Sequence, residues 1–430
     1  MRKTEAAKVM GMERADYLIA GAGHAALAAM HAIRLVDAGG SLTVVGRDRQ
    51  LPYSPTVLPY VVSGRSDPKR VFLRDEAYFA CARTAYRRGH AIVRIELASR
   101  IAELDDGSRI EFGKLLLSSG ARPVIPPVTG LQAVPYHVLR TLDDALRLRA
   151  ELPRTRHAIV LGAGLIGMHA AENLSKGGAR VTVIEVQGQI LPGYFDADAA
   201  AIIARAFEHD GRVTIQTGTR AVSAEAGAQG GVVLHLQDGP PVSGDLLLIG
   251  AGVAPAIDFL AGSQIRCDRG ILVDASMRTS VEGVWAAGDV AQAASFYEAR
   301  PVLNGILPDA VEQGRIAGMD MAGDAALQGY RGAVPLNTYS YFGRHAVSVG
   351  SGCAPPGAEI VVRGDADAER YLKVIFDQGR LHGIFAINTP LDAGVMWQLV
   401  RRRTDLTSLR ARFLAQPREV GRALMSRLWR

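Results

Sequence analysis

Two unbroken apolar runs, Tyr17–Ala20 and Ala158–Leu161, each enter a glycine-rich turn and then an alanine-rich stretch whose apolar positions recur at helical spacing. The pattern predicts a buried strand, a tight turn and a helix, twice over. Val44–Val45, Leu115–Leu117, Ala179–Glu185, Leu246–Ile249, Ile271–Asp274 and Gly283–Ala287 read as further strands. Apolar runs of this kind read as buried strands. Thr141–Leu152 reads as a helix with Thr141 as N-cap and Asp143 and Asp144 in its first turn, and Pro308–Ala322 as another with proline in its first turn. From about residue 330 the pattern changes to alternating segments such as Ala346–Val349 and Leu372–Phe376, followed by helical ones.

The two turns are Gly21-Ala-Gly-His-Ala-Ala26 and Gly162-Ala-Gly-Leu-Ile-Gly167. In such a loop the first glycine permits the tight turn, the second lets backbone N–H groups approach a pyrophosphate, and the third small residue lets helix and strand pack closely. The phosphates then lie at the positive end of the helix. A single loop of this kind also fits a strand packed on a helix with no ligand. Two of them, followed by Ala286-Ala-Gly-Asp289, point to two dinucleotides on one chain.

The fold class expected is therefore α/β, with two Rossmann-like dinucleotide-binding domains and a C-terminal α+β domain. An N-terminal extension (1–14) precedes a first domain split between 15–124 and 251–328; a second domain spans 125–250 and the last 329–430. Proline-rich Pro123–Pro127 reads as the linker between the first two. Leu246–Gly252 echoes Leu115–Gly120 and marks the return to the first domain.

Length and 48% hydrophobic content allow two to three real cores. The +6 net charge comes from arginines scattered along the chain, with one short cluster at Arg401–Arg403. Without a basic stripe interleaved with aromatics, nucleic acid is not an expected partner. Cys81, Cys267 and Cys353 are far apart, which excludes a four-thiolate metal or iron–sulfur centre within this chain, and buried inert thiols are expected. Few cysteines fit a reducing cytoplasm. The charged segment Met1–Arg14 has no apolar signal region, no apolar run reaches membrane-spanning length, and Met12 is a candidate start.

The order of motifs resembles the FAD-dependent pyridine nucleotide-disulfide oxidoreductase family, in its ferredoxin-reductase-like branch. The resemblance implies that Gly21, Ala22, Gly23, His24, Ala25, Ala26, Gly120, Gly288 and Asp289 hold FAD, with Asp289 on the ribityl chain. Gly162, Gly164, Leu165, Ile166, Gly167 and Gly252 would hold NAD(H). Glu185, at the end of the strand after the second loop, is placed to accept from both adenosine ribose hydroxyls and to repel a 2′-phosphate, so NAD rather than NADP is expected. In the first domain Gly46 stands where such an acid belongs. Asp48, after Arg47, is the candidate there, a solvated turn acid the alternative. Relatives with thiol chemistry carry cysteines beside the flavin; here the stretch reads Thr56-Val-Leu-Pro-Tyr60, so no thiolate is offered. Tyr60 and His169 occupy places where relatives often carry a Lys–Glu pair, leaving Thr56, Tyr60 and His169 as tuning residues and no acid–base residue. His169 also reads as an ordinary packed helix histidine.

Leu51–Gly64, Val334–Tyr339 and Phe342–His345 are similar to the flavoprotein subunits of multi-subunit thiamine-diphosphate, iron–sulfur 2-oxoacid oxidoreductases. That likeness implies an iron–sulfur, ferredoxin-like partner subunit that feeds FAD, and NAD+ as the final acceptor. The alternatives it leaves open are a free-standing NADH:ferredoxin or rubredoxin reductase, the FAD subunit of an aldehyde oxidoreductase, and a redox-inactive subunit that keeps FAD for structure. A homodimer through the last domain is a further implication of the family likeness.

Overall fold

The computed structural model describes residues 12–228, 230–365 and 368–428; residues 1–11 of the expected extension lie outside them. The chain forms two compact units. The first comprises residues up to Ser54, Phe72–Ala121 and Pro255–Gly332; the second comprises Pro55–Val71, Arg122–Ala254 and Ala333–Arg430.

The first unit is built on β1 (Glu13–Ala20), β2 (Leu42–Gly46), β3 (Thr84–Arg88), β4 (Ile92–Glu96), β5 (Ile101–Leu104) and β6 (Arg109–Leu117), in the order β3-β2-β1-β6-β5-β4. β3, β2, β1 and β6 run parallel, and β17 (Val284–Ala286) adds alongside the second half of β6. β1 is apolar at Leu18, Ile19 and Ala20 because both faces are covered, so the apolar run lacks strand alternation. α1 (His24–Val36) lies against α7 (Leu307–Ala322), and two α7 glycines make this closeness possible. A Cβ on Gly314 would lie 2.1 Å from the Ala25 carbonyl oxygen, and one on Gly318 2.4 Å from that of Ala29. The short strands β16 (Ile271–Leu272) and β18 (Ala291–Gln292) pair with each other, and α3 (Glu76–Cys81) precedes β3.

The second unit holds three sheets. β8 (His157–Leu161), β9 (Arg180–Ile184), β10 (Val213–Gln216) and β14 (Leu246–Ile249) form a parallel sheet in the order β10-β9-β8-β14, with α5 (Leu165–Lys176) and α6 (Ala197–Glu208) as its crossovers. β11 (Ala221–Ala226), β12 (Val232–Leu236) and β13 (Val242–Gly244) make a small antiparallel sheet. β19 (Leu336–Tyr341), β20 (Arg344–Gly350), β21 (Glu359–Asp365), β22 (Arg370–Asp377) and β23 (Arg380–Ile387) form an antiparallel sheet ordered β19-β20-β23-β22-β21. α8 (Ala393–Arg401), α9 (Arg410–Ala415) and α10 (Pro417–Leu428) follow it. α2 (Leu58–Val62) and α4 (Leu142–Glu151) also belong to this unit, while β7 (Ala121–Pro123) and β15 (Val253–Pro255) mark where the chain passes from one unit to the other. α4 begins at Thr141, the N-cap its sequence foretold, and Thr141 and Asp144 bond reciprocally in a capping box.

β14 pairs with β8 inside the second unit, and the chain returns to the first at Pro255, just after the Leu246–Gly252 echo. Leu246 echoes Leu115 because β14 stands beside β8 as β6 stands beside β1: each flanks the strand that feeds a glycine loop. The three cysteines are exposed rather than buried, a matter of which faces the tertiary packing left open.

Candidate functional site

The glycine loop of the first unit is shaped by backbone crowding. Gly21 has φ +107°, and a Cβ there would lie 2.1 Å from the Ser118 carbonyl oxygen, so only glycine fits. Two residues on, a Cβ at Gly23 would meet nothing within 4 Å: the loop opens outward at the N-terminus of α1. That helix has no side-chain cap and no acidic residue in its first turn, so its leading N–H groups and positive dipole end are available to an anion. His24, in the same loop, has a buried Nε2 without a hydrogen-bond partner. Burial lowers its pKa, with Asp289 opposing, and leaves a neutral ring. An uncapped helix, open loop space and an orphaned buried nitrogen fit the pyrophosphate end of a dinucleotide.

Asp289 follows Gly288 (φ +80°), whose N–H donates to Gln313 Oε1 at 2.9 Å. α7 therefore braces the Gly-Asp turn through Gln313. Asp309, fully buried in the first turn of α7, accepts from Asn304 Nδ2 at 2.5 Å, so the N-terminus of that helix already faces a carboxyl group.

Gly46 has a reason that its sequence does not reveal. A Cβ on it would come within 2.8 Å of the Tyr86 hydroxyl and 3.0 Å of Ala22 Cβ, so no acid can stand there. Tyr86 stacks on Phe79 at 4.5 Å, and burial, then the Asp48 charge, pushes its pKa up to about 12. Asp48 accepts from the Tyr53 hydroxyl at 2.6 Å, while Arg47 is exposed. Gly120, with φ +72°, lies where the chain leaves β6.

In the second unit the loop repeats the same logic. Gly162 has φ +101° and its Cβ would be 2.4 Å from the Gly250 carbonyl oxygen; Gly167 would place a Cβ 1.9 Å from the oxygen of Gly162. Gly164 is open, and α5 starts there without a side-chain cap or an acid in its first turn, with Leu165 and half-open Ile166 next. Gly252, at φ +101°, is also open. Glu185, just past β9, is buried; its Oε2 accepts the Ala163 N–H at 2.7 Å and its Oε1 the Gln187 N–H at 2.8 Å. The carboxylate thus braces the loop, and each oxygen keeps a lone pair for a ribose hydroxyl. Thr219 donates its backbone N–H to the Glu185 carbonyl at 3.1 Å, and its hydroxyl is buried without a partner. This second orphaned polar group beside Glu185 fits a hydroxyl-rich ligand and escaped sequence analysis, because a threonine in a loop gives no pattern.

Tyr60 and His169 come together in this unit, their ring centroids 6.5 Å apart; His169 meets Tyr339 edge-on at 4.7 Å, and Tyr339 stacks on Tyr341 at 5.2 Å. Burial lowers the His169 pKa, Glu172 opposing, so the ring is neutral near pH 7. Glu172, one turn along α5, accepts from the Phe342 N–H at 2.8 Å and from Lys176 Nζ at 2.5 Å. The helix after the second loop therefore does carry a glutamate, which pins the β19–β20 turn. Asn173 donates to the Pro59 carbonyl at 2.9 Å and ties α5 to the turn bearing Tyr60. Thr56 is exposed in the turn before α2.

Comparison with known proteins places these cradles in context. The model of the pyridine nucleotide-disulphide oxidoreductase family matches residues 15–324. The chain is 54% identical over 420 residues, 97% of its own length and 99% of the relative's, to the NADH-dependent phenylglyoxylate dehydrogenase subunit epsilon of Aromatoleum evansii. It is 33% identical over 283 residues, 65% of this chain and 68% of the relative, to the anthranilate 1,2-dioxygenase system ferredoxin–NAD(+) reductase component of Burkholderia cepacia. Among solved structures, the ferredoxin reductase for the CYP199A2 system of Rhodopseudomonas palustris superposes with a TM-score of 0.79 at 27% identity, over 86% of this chain and 91% of that one.

Proposed function

The chain belongs to the pyridine nucleotide-disulphide oxidoreductase family, and from that premise we propose that it is the FAD-containing, NAD-reducing subunit of a 2-oxoacid dehydrogenase of phenylglyoxylate type. The observation that carries this is the pair of uncapped helix N-termini over open glycine loops, in a chain alike over nearly its whole length to an NADH-dependent dehydrogenase subunit. FAD and NAD(H) are its cofactors. When bound, FAD supplies the exchange between single electrons and electron pairs, and NAD+ carries the pair away as NADH.

The protein's own share is binding and orientation. Residues 15–124 and 251–328 hold FAD, 125–250 hold NAD(H), and 329–430 form the last domain. In the first loop the backbone amides near Gly23 take the pyrophosphate, the neutral His24 Nε2 meets a cofactor group, and Asp289 takes the ribityl chain. Gly164, Leu165 and Ile166 offer the second set of amides, while Glu185 and Thr219 take the ribose. Tyr60 and the uncharged His169 wall the second site without a fixed charge. Thr56, where thiol-dependent relatives carry cysteine, offers no nucleophile, so electrons arrive from an iron–sulfur partner. Three exposed free cysteines suit a reducing cytoplasm, and among the described residues no helix is long and apolar enough to cross a membrane.

The ferredoxin–NAD(+) reductase likeness supports the opposite traffic as a second reading, NADH reducing a ferredoxin. Anaerobic NADH and NADPH are titrated separately onto the purified chain while the flavin absorption band is followed. Bleaching by NADH alone is expected; a bound flavin untouched by either nucleotide refutes both readings. Recovery of the native protein together with thiamine-diphosphate and iron–sulfur chains selects the first, and isolation as a lone chain that reduces ferredoxin selects the second.

A further inference from the structure

The two loop-bearing units repeat one hydrogen-bond pattern. In the first, Ala20 pairs with Val45 across β1 and β2, and the Gly21 N–H donates to the Val45 carbonyl at 2.7 Å. In the second, Leu161 pairs with Ile184 across β8 and β9, and the Gly162 N–H donates to the Ile184 carbonyl at 2.8 Å. Gly46 and Glu185 are therefore equivalent positions, each one residue past the pair that stands ahead of its loop. At Glu185 a buried carboxylate accepts the Ala163 N–H and keeps lone pairs for a ribose. At Gly46 there is no side chain to do either.

The neighbouring strand supplies one. β3 pairs with β2 so that Tyr86 stands opposite Val44. Paired residues project to one face, and Val44 and Gly46 share that face because they are two residues apart. Tyr86 leans along β2 and brings its hydroxyl oxygen within 2.8 Å of the place a Gly46 Cβ would take. The same place is 3.0 Å from the Cβ of Ala22, the loop residue equivalent to Ala163. A hydroxyl thus stands at the root of the missing acid, beside the loop that opens at the N-terminus of α1. Phe79, buried, holds the ring there by stacking on it at 4.5 Å with 18° between the planes. Burial, then the Asp48 charge, pushes the Tyr86 pKa up to about 12, so the hydroxyl keeps its proton and both donates and accepts. Asp48 itself already accepts from the Tyr53 hydroxyl at 2.6 Å.

We propose that Tyr86 positions FAD, its hydroxyl taking the adenosine ribose in place of the carboxylate that Glu185 offers to NAD(H). This rests on the reading of the first unit as the FAD site. The exchange gives the ribose a donor as well as an acceptor, and it sets no further negative charge beside a pyrophosphate.

The test reads flavin affinity, from the fluorescence of flavin released on serial dilution of the full chain loaded with FAD and, separately, with FMN. Tyr86→Phe keeps the ring and its stack on Phe79 and removes the hydroxyl alone. Its Kd for FAD is expected to rise about fivefold to tenfold, the loss of one hydrogen bond. Its Kd for FMN, which has no adenosine, is expected to match the wild type, a separation that a ring merely filling space would not produce. Should Tyr86→Phe fail to melt like the wild type, an exchange of positions carries the test. Tyr86→Leu vacates the space of the hydroxyl, and Gly46→Glu added to it returns an acid beside Ala22, as Glu185 stands beside Ala163. The double variant is expected to hold FAD at least about fivefold more tightly than Tyr86→Leu alone. A Tyr86→Phe chain that holds FAD like the wild type overturns the proposal, as does one that loses FMN as readily as FAD, or a double variant that holds FAD no better than Tyr86→Leu. A wild type that takes up no FAD overturns the FAD reading itself and this proposal with it.

Discussion

Replacement of Glu185 separates its two duties. Its carboxylate accepts the Ala163 and Gln187 N–H groups at 2.7 and 2.8 Å, and its remaining lone pairs are assigned to the ribose. A hydrogen bond to a charged group contributes about 1.5–3 kcal/mol. Losing two from ribose hydroxyls in Glu185→Ala raises the Kd for NAD+ roughly a hundredfold at the low end of that range. The same change leaves the buried Ala163 amide unpartnered, which costs about 1–3 kcal/mol of stability and lowers Tm. Glu185→Gln keeps one acceptor oxygen and should fall between. Discrimination moves the other way for NADP+. At about 4 Å and an effective dielectric of about 20, each unit charge on a 2′-phosphate is repelled by about 4 kcal/mol, so the neutral variant narrows the NAD+/NADP+ ratio by more than about tenfold. The assay is calorimetric titration of NAD+ and NADP+ onto the oxidised, flavin-loaded protein, where no electrons move. An unchanged NAD+ Kd in Glu185→Ala, with Tm lowered as expected, refutes the ribose assignment and leaves Glu185 a loop brace alone.

Gly21→Ala and Gly23→Ala should part company. The first forces a Cβ onto the Ser118 carbonyl and yields little folded protein; the second meets open space, folds, and loses flavin, as read by absorbance of the purified chain. Gly314→Val, pressed against the Ala25 carbonyl, should separate α7 from α1 and lower Tm by several degrees with flavin content falling in parallel. Burial holds the His169 pKa below its ordinary 6.5, so on acidification the unfolded chain takes its proton first. Stability from this group is complete above about pH 6.5 and is lost as pH falls below it, and His169→Phe should flatten that part of the denaturation-midpoint profile. A profile unchanged by the substitution would remove His169 from the acid response.

Features carried within a few residues were legible along the chain. The two glycine loops announce themselves because the required backbone angles, +107° at Gly21 and +101° at Gly162, belong to glycine itself, and the Thr141 N-cap of α4 needs only a hydroxyl just ahead of the first turn. Apolar runs without alternation likewise foretold buried strands, since burial on both faces removes the need for polar positions. Local stereochemistry and side-chain period decide all of these before any long-range contact forms. The sequence by itself thus determined where two dinucleotide loops begin, which helices follow them and which acid, Glu185, closes the second strand.

Tertiary structure alone decided what those elements meet. Gly46 reads as a missing acid until Tyr86, forty residues on, is found filling its space; Gly314 and Gly318 reveal their purpose only against Ala25 and Ala29. That Leu246–Ile249 lies beside β8 and not beside β1 is likewise a matter of packing, because a pattern shared by equivalent strands does not say which sheet each one joins. Thr219 and the exposed cysteines carry no local signal at all. Each depends on which faces distant elements cover, and that balance of burial is summed over the whole packed chain rather than written in any one stretch of it.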